Sequence, residues 1–398
     1  MPGIKALTGR SVADLWKEVK NPDAFWEELH DEMTDVIRDL LESALEEEML
    51  EQLQVGWYQR HPDRVDRRNG FYTRSLATRL GVITNLHVPR SRQGKYQSQI
   101  LPHYQRYEAS VQDMVQEAFL AGVSTRRVGA VLEPMVGEPV SAQTVSRLTQ
   151  RLDSAVQAFH RRKLSDDAVY LFLDGVYVRI KGADHLLRKP VLVAYVITTS
   201  GEKHLLSYRL ADTESEAAWE AFLNDLYRRG LEGKALRLVI TDGNPGLHKA
   251  LQTVYPYVPR QRCWVHKLRN VMAKLPVKQR DACLGELRTV YTQATQAAAR
   301  ERYKVWAERW KDRVPAAVEC VRKDIDELLT FLNEPPALWQ TLRTTNAIER
   351  VFREVRRRTR PMTSFNNDAS CDRIIYAVFC FHNEKWRGHP LAHFTQKT

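Results

Sequence analysis

The sequence predicts a multidomain α+β protein, in which an α/β domain is split by an all-helical block and preceded by helical and basic modules. Three observations predict it. Apolar side chains recur at three-to-four spacing over residues 22–55. Residues 67–107 mix β-branched runs with arginines. From Ala168, three apolar strand patterns lead through a helix to a fourth, and a long helical stretch follows. The chain's 398 residues are enough for several domains. Shifts in pattern divide it into 1–64 (a helical segment), 65–108 (a basic β-containing module), 109–163 (helix-turn-helix-like), 164–264 (first part of the α/β domain), 265–340 (the helical block) and 341–398 (the second part, with the Glu349 helix).

Charge narrows the function. Sixty Lys and Arg oppose 49 Asp and Glu, a formal charge of +11. Such a surplus favours a polyanionic partner, nucleic acid before membrane. The longest purely apolar run, Val191–Ile197, is far short of the roughly 20 residues of a membrane span. The opening MPGIKALTGR does not read as a secretory leader. Five cysteines without a CxxC pair suit a reducing cytoplasm better than a disulfide framework.

The first helix is expected from Pro22 to about Val55. It is acidic: residues 1–50 hold five Lys/Arg against thirteen Asp/Glu. Its apolar face needs a cover, either its own chain or a second copy in a homodimer. Residues 51–110 reverse the balance, with ten basic residues against four acids. Here short strands or a hairpin are expected, and Arg67, Arg68, Arg74, Arg79, Arg90, Arg92 and Lys95 form a ribbon able to contact phosphates. Three helices follow, the first closed by Gly122, the second capped by Ser124, and the third capped by Ser141 and running on to about residue 159. A tight turn before a polar, basic third helix suits a helix-turn-helix, with Gln143, Thr144, Ser146 and Arg147 facing a DNA groove.

The α/β part opens with AVYLFLDGVYVRI, VLVAYVITT and HLLSYRL, an antiparallel meander by their short links. A helix closed by Gly230, the strand ALRLVITDG and a short helix come next. Residues 265–333 are helical and rich in Trp and Arg. Two last helices begin near Asn346 and Asp368.

Three acids in this part carry chemistry. Asp174 lies in an apolar strand, where a carboxylate is costly unless neutralised. Asp242 ends another strand, where open α/β sheets place ligands. Glu349 opens a strongly basic helix. Hard oxygen ligands from separated segments suit magnesium, and two such ions can clamp the attacking and leaving oxygens of a phosphodiester. Each acid also has an ordinary reading: a salt-bridged strand residue, a turn before Gly243, and a capping-box partner of Asn346. Arg353, Arg356, Arg357 and Arg360 share one face beyond Glu349, a track for phosphates. Trp306 and Trp310 read as core. Trp339 follows an exposed-looking turn and is expected to stack on an unpaired base.

RNGFYTRSLATRLGVITNLHVPRSRQG, QEAFLAGVSTRRVGAVLE, VSRLTQRLD, LDGVYV, ESEAAWEAFLNDL, VITDGNPGL, QRCWVHKLRNVMAKLP and TTNAIERVFREVRRRT occur in one order. Over about residues 30–385 the chain resembles Mutator-type bacterial insertion-sequence transposases, a DDE transposase family. RCWVH and TTNAIERVFREVRRRT are the most specific pieces, since neither is a generic fold pattern. The resemblance implies a ribonuclease H-like catalytic domain interrupted by an all-helical insertion between the second Asp and the Glu. Residue by residue, it carries the triad to Asp174, Asp242 and Glu349. Two Mg²⁺ ions, with Mn²⁺ as a substitute, are then expected on these acids. The double-stranded DNA of the element's terminal inverted repeats and target DNA are the expected partners, in a nucleoid-associated homodimer without membrane contact.

Cys263 and His266 form the family's C-x-x-H signature. No further ligands lie at zinc spacing, so a structural role near the site is expected. Gly243 and Asn244 stand where the family more usually has Ala or Ser and then His, and Asn244 is expected to substitute as a hydrogen-bond donor. Two other classes stay open: a ribonuclease H-like nuclease that only hydrolyses, and a non-catalytic DNA-binding protein derived from a transposase.

Overall fold

Apolar residues four apart give the first helix, α1 (Pro22–Leu53), one buried stripe ending in Leu45, Met49 and Leu53. Its cover is a two-stranded antiparallel hairpin, β1 (Arg68–Thr78) and β2 (Gly81–Ser91), with Thr78 paired to Gly81 across the turn. Leu45 packs with Leu76, Ile83, Leu86 and Val88, so the chain itself covers the second half of the helix. The acidic face is used as well. Glu42 accepts the His87 backbone N–H at 2.7 Å, Glu48 accepts the Tyr96 hydroxyl at 3.0 Å, and Glu46 pairs with Arg68.

The computed structural model describes residues 22–54, 65–103, 105–121, 123–137, 140–359 and 364–395. They form two units, one of residues up to Phe119 with Val123–Gln150, the other of Leu120–Gly122 with Arg151 onward. The first unit also contains α2 (Ala109–Leu120), α3 (Thr125–Val136) and α4 (Ala142–Thr149), packed through Val111, Val115, Val128, Leu132, Val145 and Leu148. Gly129 lets α3 approach the Val140 carbonyl oxygen, which a Cβ there would overlap. Ser141 caps α4 by accepting the Thr144 N–H at 3.2 Å, whereas the Ser124 side chain makes no cap bond at α3. The Gly122 cap lies outside the described residues.

The expected single third helix is two. After α4 the chain breaks at Gln150 and resumes as α5 (Leu152–Arg161), which belongs to the second unit. The reason is burial in two different cores. Val145 and Leu148 pack with α3, while Phe159 of α5 meets Tyr208 and Phe379 in the other unit.

The second unit is built on β3 (Ala168–Lys181), β4 (Leu186–Thr198) and β5 (Lys203–Leu210), the expected antiparallel meander. α6 (Glu216–Arg228) then leads to β6 (Leu238–Thr241), parallel to β3, and α7 (Pro245–Val254) to β7 (Arg260–Arg262), parallel to β6. The sheet order is β5-β4-β3-β6-β7. One face buries Leu171, Leu173, Leu192, Trp219, Phe222 and Leu251 between the strands and α6–α7. The strand β7, Arg-Gln-Arg, has no apolar signal. Its buried Gln261 instead hooks the helical block, donating to the Leu328 carbonyl at 3.0 Å and accepting the Phe331 N–H at 2.8 Å.

That block comprises α8 (Trp264–Met272), α9 (Arg280–Arg288), α10 (Gln296–Trp310), α11 (Pro315–Arg322), α12 (Ile325–Leu328) and α13 (Trp339–Leu342). Trp306 and Trp310 are core, as expected, and their indole N–H groups donate to the Cys283 carbonyl and to Glu286. The chain returns through α14 (Asn346–Thr359), α15 (Asp368–Trp386) and the short α16 (Ala392–Thr395). The architecture is mixed α+β. Among the described residues no helix is long and apolar enough to cross a membrane. All five cysteines are free thiols.

Candidate active site

The strand register brings the first two acids together. Leu173 of β3 pairs with Thr241 of β6, so Asp174 and Asp242 are the next residues on adjacent parallel strands. Asp174 is only 4% exposed. Burial, and after it the nearby Asp242 charge, pushes its carboxyl up to about 7, with Glu349 adding to the rise. His266 and a hydrogen bond from Thr345 pull the other way.

Glu349 arrives from the far side of the helical block. The backbone fixes it there: Cys263 N–H donates to the Thr241 carbonyl at 2.7 Å, and Trp264 N–H to the Arg343 carbonyl at 2.9 Å. The start of α8 is thereby tied both to the Asp242 strand and to the approach to α14. In the first turn of α14, Glu349 does not fold back to Asn346 as a capping box would. Its carboxylate accepts from both arms of Arg269, at 2.8 and 3.4 Å, and lies 3.5 Å from His266 Nε2.

Beneath them Cys263 and His266 form a polar pair. The Cys263 hydrogen bond chiefly lifts the imidazole, to about 9, and the Asp174 and Asp242 charges reinforce it. Burial alone would raise the buried Cys263 thiol, but His266 and Thr345 hold it below the usual thiol range. A cationic ring thus stands among three carboxylates. Asn244 is hydrogen-bonded through its side chain to the Glu214 carboxyl, in keeping with the donor role expected of it. Its carboxamide oxygen caps α7, accepting Gly246 and Leu247 N–H groups, while its backbone N–H donates to Asp242 at 3.0 Å.

Three neighbours were not singled out from the sequence. Thr345 is fully buried and links Cys263, His266 and Asp174. Arg269 lies three residues past His266 on α8. Glu214 rests against Gly175, which has no Cβ to collide with it, and burial and Asp242 raise its carboxyl. The signals available were the threonine before a helix start, helical spacing after C-x-x-H, and the Asp-Gly of β3.

The donor set suits hard divalent cations, since crowded carboxylates, one of them buried, are relieved by positive charge. As the side chains stand, no group of three His, Cys, Asp or Glu among the described residues is arranged to hold an ion. Both oxygens of Glu349 are turned to Arg269. Glu349 would have to leave that guanidinium before its carboxylate could join Asp174 and Asp242 around an ion.

Beyond Glu349, Arg353, Arg356 and Arg357 are exposed, and Arg357 is paired with Glu354 at 2.7 Å. With Tyr177, Arg179 and Phe365 they line a groove of about 740 Å³. Arg360 lies outside the described residues. Trp339 is half-buried, its N–H donates to the Glu334 carbonyl at 2.6 Å, and its ring packs edge-on against Phe331.

In the first unit, Arg67, Arg79, Arg90 and Arg92 are exposed and Arg74 is half-buried. Arg68 is half-buried and paired with Glu46. Gln143 and Arg147 are exposed on α4, but Thr144 is buried and receives the Ser141 hydroxyl at 3.0 Å, so it does not face outward.

The chain is 36% identical over 380 residues to the transposase for insertion sequence element ISRM5 of Rhizobium meliloti, covering 95% of this chain and 93% of that one. It is 30% identical to the transposase for IS256 in transposon Tn4001 of Staphylococcus aureus, over 88% and 90% of the two chains. It is 31% identical to the transposase for IS1081 of Mycobacterium tuberculosis, over 83% and 80%. The profile described as "Transposase, Mutator family" matches residues 12–388, and the chain belongs to that family of insertion-sequence transposases.

Proposed function

We propose that the protein moves an insertion sequence by cutting and joining DNA at a single site made of Asp174, Asp242 and Glu349. The observation that carries this reading is the register of β3 and β6, which puts two carboxylates side by side with one of them buried. Three antiparallel strands followed by two parallel ones support a ribonuclease H-like catalytic domain, with residues 265–340 as its helical insertion. The exposed arginines of the hairpin, and Gln143 and Arg147 exposed on α4, support DNA-binding modules over 65–108 and 109–163, the latter as a helix-turn-helix. The exposed Trp26, Met33 and Leu40 on α1 support a homodimer contact over 1–64.

Asp174, Asp242 and Glu349 would hold divalent ions, Mg²⁺ or Mn²⁺, which would supply Lewis acidity for the phosphodiester chemistry. The chain's own groups do the rest. The apolar surroundings of Asp174 exclude water and strengthen charge interactions around it. His266 offsets the negative charge of the triad and orients Glu349. Arg353, Arg356 and Arg357 hold the phosphates of the strand leading to the cut. The substrates are the element's terminal inverted repeats and a target duplex.

The test uses duplex DNA carrying the element's end and Mg²⁺. Asp174→Asn, Asp242→Asn and Glu349→Gln are each expected to abolish nicking and joining while end binding persists. Nicking without any joining by the wild-type protein would favour a hydrolytic nuclease. Neither reaction would favour a DNA-binding protein without catalysis. Retained cleavage in one variant removes that residue from the triad.

A further inference from the structure

We propose that Arg269 is a phosphate-binding residue of the active site, docked on Glu349 until DNA phosphate takes the place of the carboxylate. This rests on the triad reading above and extends it to a residue outside the triad and outside the basic helix that follows Glu349.

The fork is two-armed. Arg269 Nη1 is 2.8 Å from Glu349 Oε1, and Nη2 is 3.4 Å from Oε2. A phosphodiester offers a guanidinium the same paired oxygens, so the two anions compete for one geometry. The Arg269 side chain is 54% exposed, within reach of a ligand from solution. An ion pair this exposed contributes little to folding, so structural need is a weak reason for it. His266, one turn earlier on α8, is half-buried and stays beside the acids. Arg269 is thus the more accessible of the two cations.

Charge fixes the order of events. Without ions, Arg269 and His266 offset the three carboxylates. To hold a divalent ion with Asp174 and Asp242, Glu349 would have to turn from the guanidinium, which the ion's charge would disfavour nearby. The freed fork then lies beside the ions, where the substrate's phosphate must sit, and it binds there without any rearrangement of α8.

The experiment uses the full chain and two readouts. Electron paramagnetic resonance with Mn²⁺ alone measures ion affinity without DNA. Single-turnover nicking of element-end duplex in saturating Mn²⁺ measures the second role. Arg269→Ala is expected to bind Mn²⁺ about tenfold more tightly, the size of effect that one neighbouring charge has on a carboxylate's proton affinity. The same variant should nick at least about tenfold more slowly, the scale on which a lost phosphate clamp acts. Arg269→Lys keeps the charge but not the fork, and should show near-normal Mn²⁺ affinity with slow nicking. Tighter Mn²⁺ binding with normal nicking would reduce Arg269 to a partner of Glu349. Weaker Mn²⁺ binding in Arg269→Ala would make it a support for the ion site. Either result overturns the proposal, as does no change in both. Asp174→Asn distinguishes failure of the triad reading: if that variant binds Mn²⁺ as the wild type does, the carboxylate site itself is wrong.

Discussion

The sulfur of Cys263 accepts the backbone N–H of Thr345 at 3.3 Å, joining positions 82 residues apart in the chain. Everything between them is the helical block and its return. Together with the Trp264 N–H bond to the Arg343 carbonyl, this buried contact closes the excursion and sets the first turn of α14, with Glu349, near the strand ends that carry Asp174 and Asp242. A thiol serves because sulfur is large enough to reach both Thr345 and His266.

Cys263→Ala leaves the Thr345 N–H buried without an acceptor. An unsatisfied buried donor costs roughly 1–3 kcal/mol. Denaturant unfolding should report a loss of that order, with slower DNA nicking because Glu349 is less well held. Full stability together with full activity would show that the contact is incidental.

Asp174 links stability to pH. Its folded-state value, about 7, lies above the ordinary carboxyl value. The folded protein therefore keeps a proton that the unfolded chain has released. The group is neutral in its effect below pH of about 4, and destabilises progressively as pH rises towards 7. Without divalent ions, Asp174→Asn should raise the melting temperature at pH 8 and leave it unchanged near pH 4. An equal shift at both values would mean that charge is not the cause.

Arg353 and Arg356 are exposed on the helix that follows Glu349. Replacing both with Ala should leave the melting temperature unchanged or slightly higher, because like charges on one helix face repel. End-DNA binding should weaken, and the log–log salt dependence should flatten by up to about two phosphate contacts. Unaltered DNA affinity with a large fall in melting temperature would contradict a phosphate track.

Gly129→Ala tests the helix pair of the first unit. The new Cβ would overlap the Val140 carbonyl oxygen, and backbone cannot give way as a flexible side chain can. Overpacking of this kind costs about 1–3 kcal/mol. Thermal unfolding should reveal it, with end-DNA affinity falling in parallel if α3 and α4 carry recognition. A variant as stable as the wild type would refute the close approach.

Periodicity and composition by themselves determined much of this protein. The acidic stripe of α1, the hairpin, the meander β3–β5 and the helices starting near Asn346 and Asp368 all follow from local side-chain spacing, which acts within a few residues. The acids Asp174, Asp242 and Glu349 stood out as candidates, because a carboxylate in an apolar strand or before a basic run contrasts with its neighbours. Tertiary structure decided the rest. The break between α4 and α5 depends on two cores competing for one amphipathic segment. β7 exists because β6 offers it a partner and Gln261 finds buried hydrogen bonds. Thr144 turns inward and Trp339 packs on Phe331 for the same kind of reason. The Arg269–Glu349 fork and the Cys263–Thr345 contact join residues about 80 apart in the chain. No local pattern encodes such pairs, because their energy comes from burial and charge compensation that arise only once distant segments share a dry site.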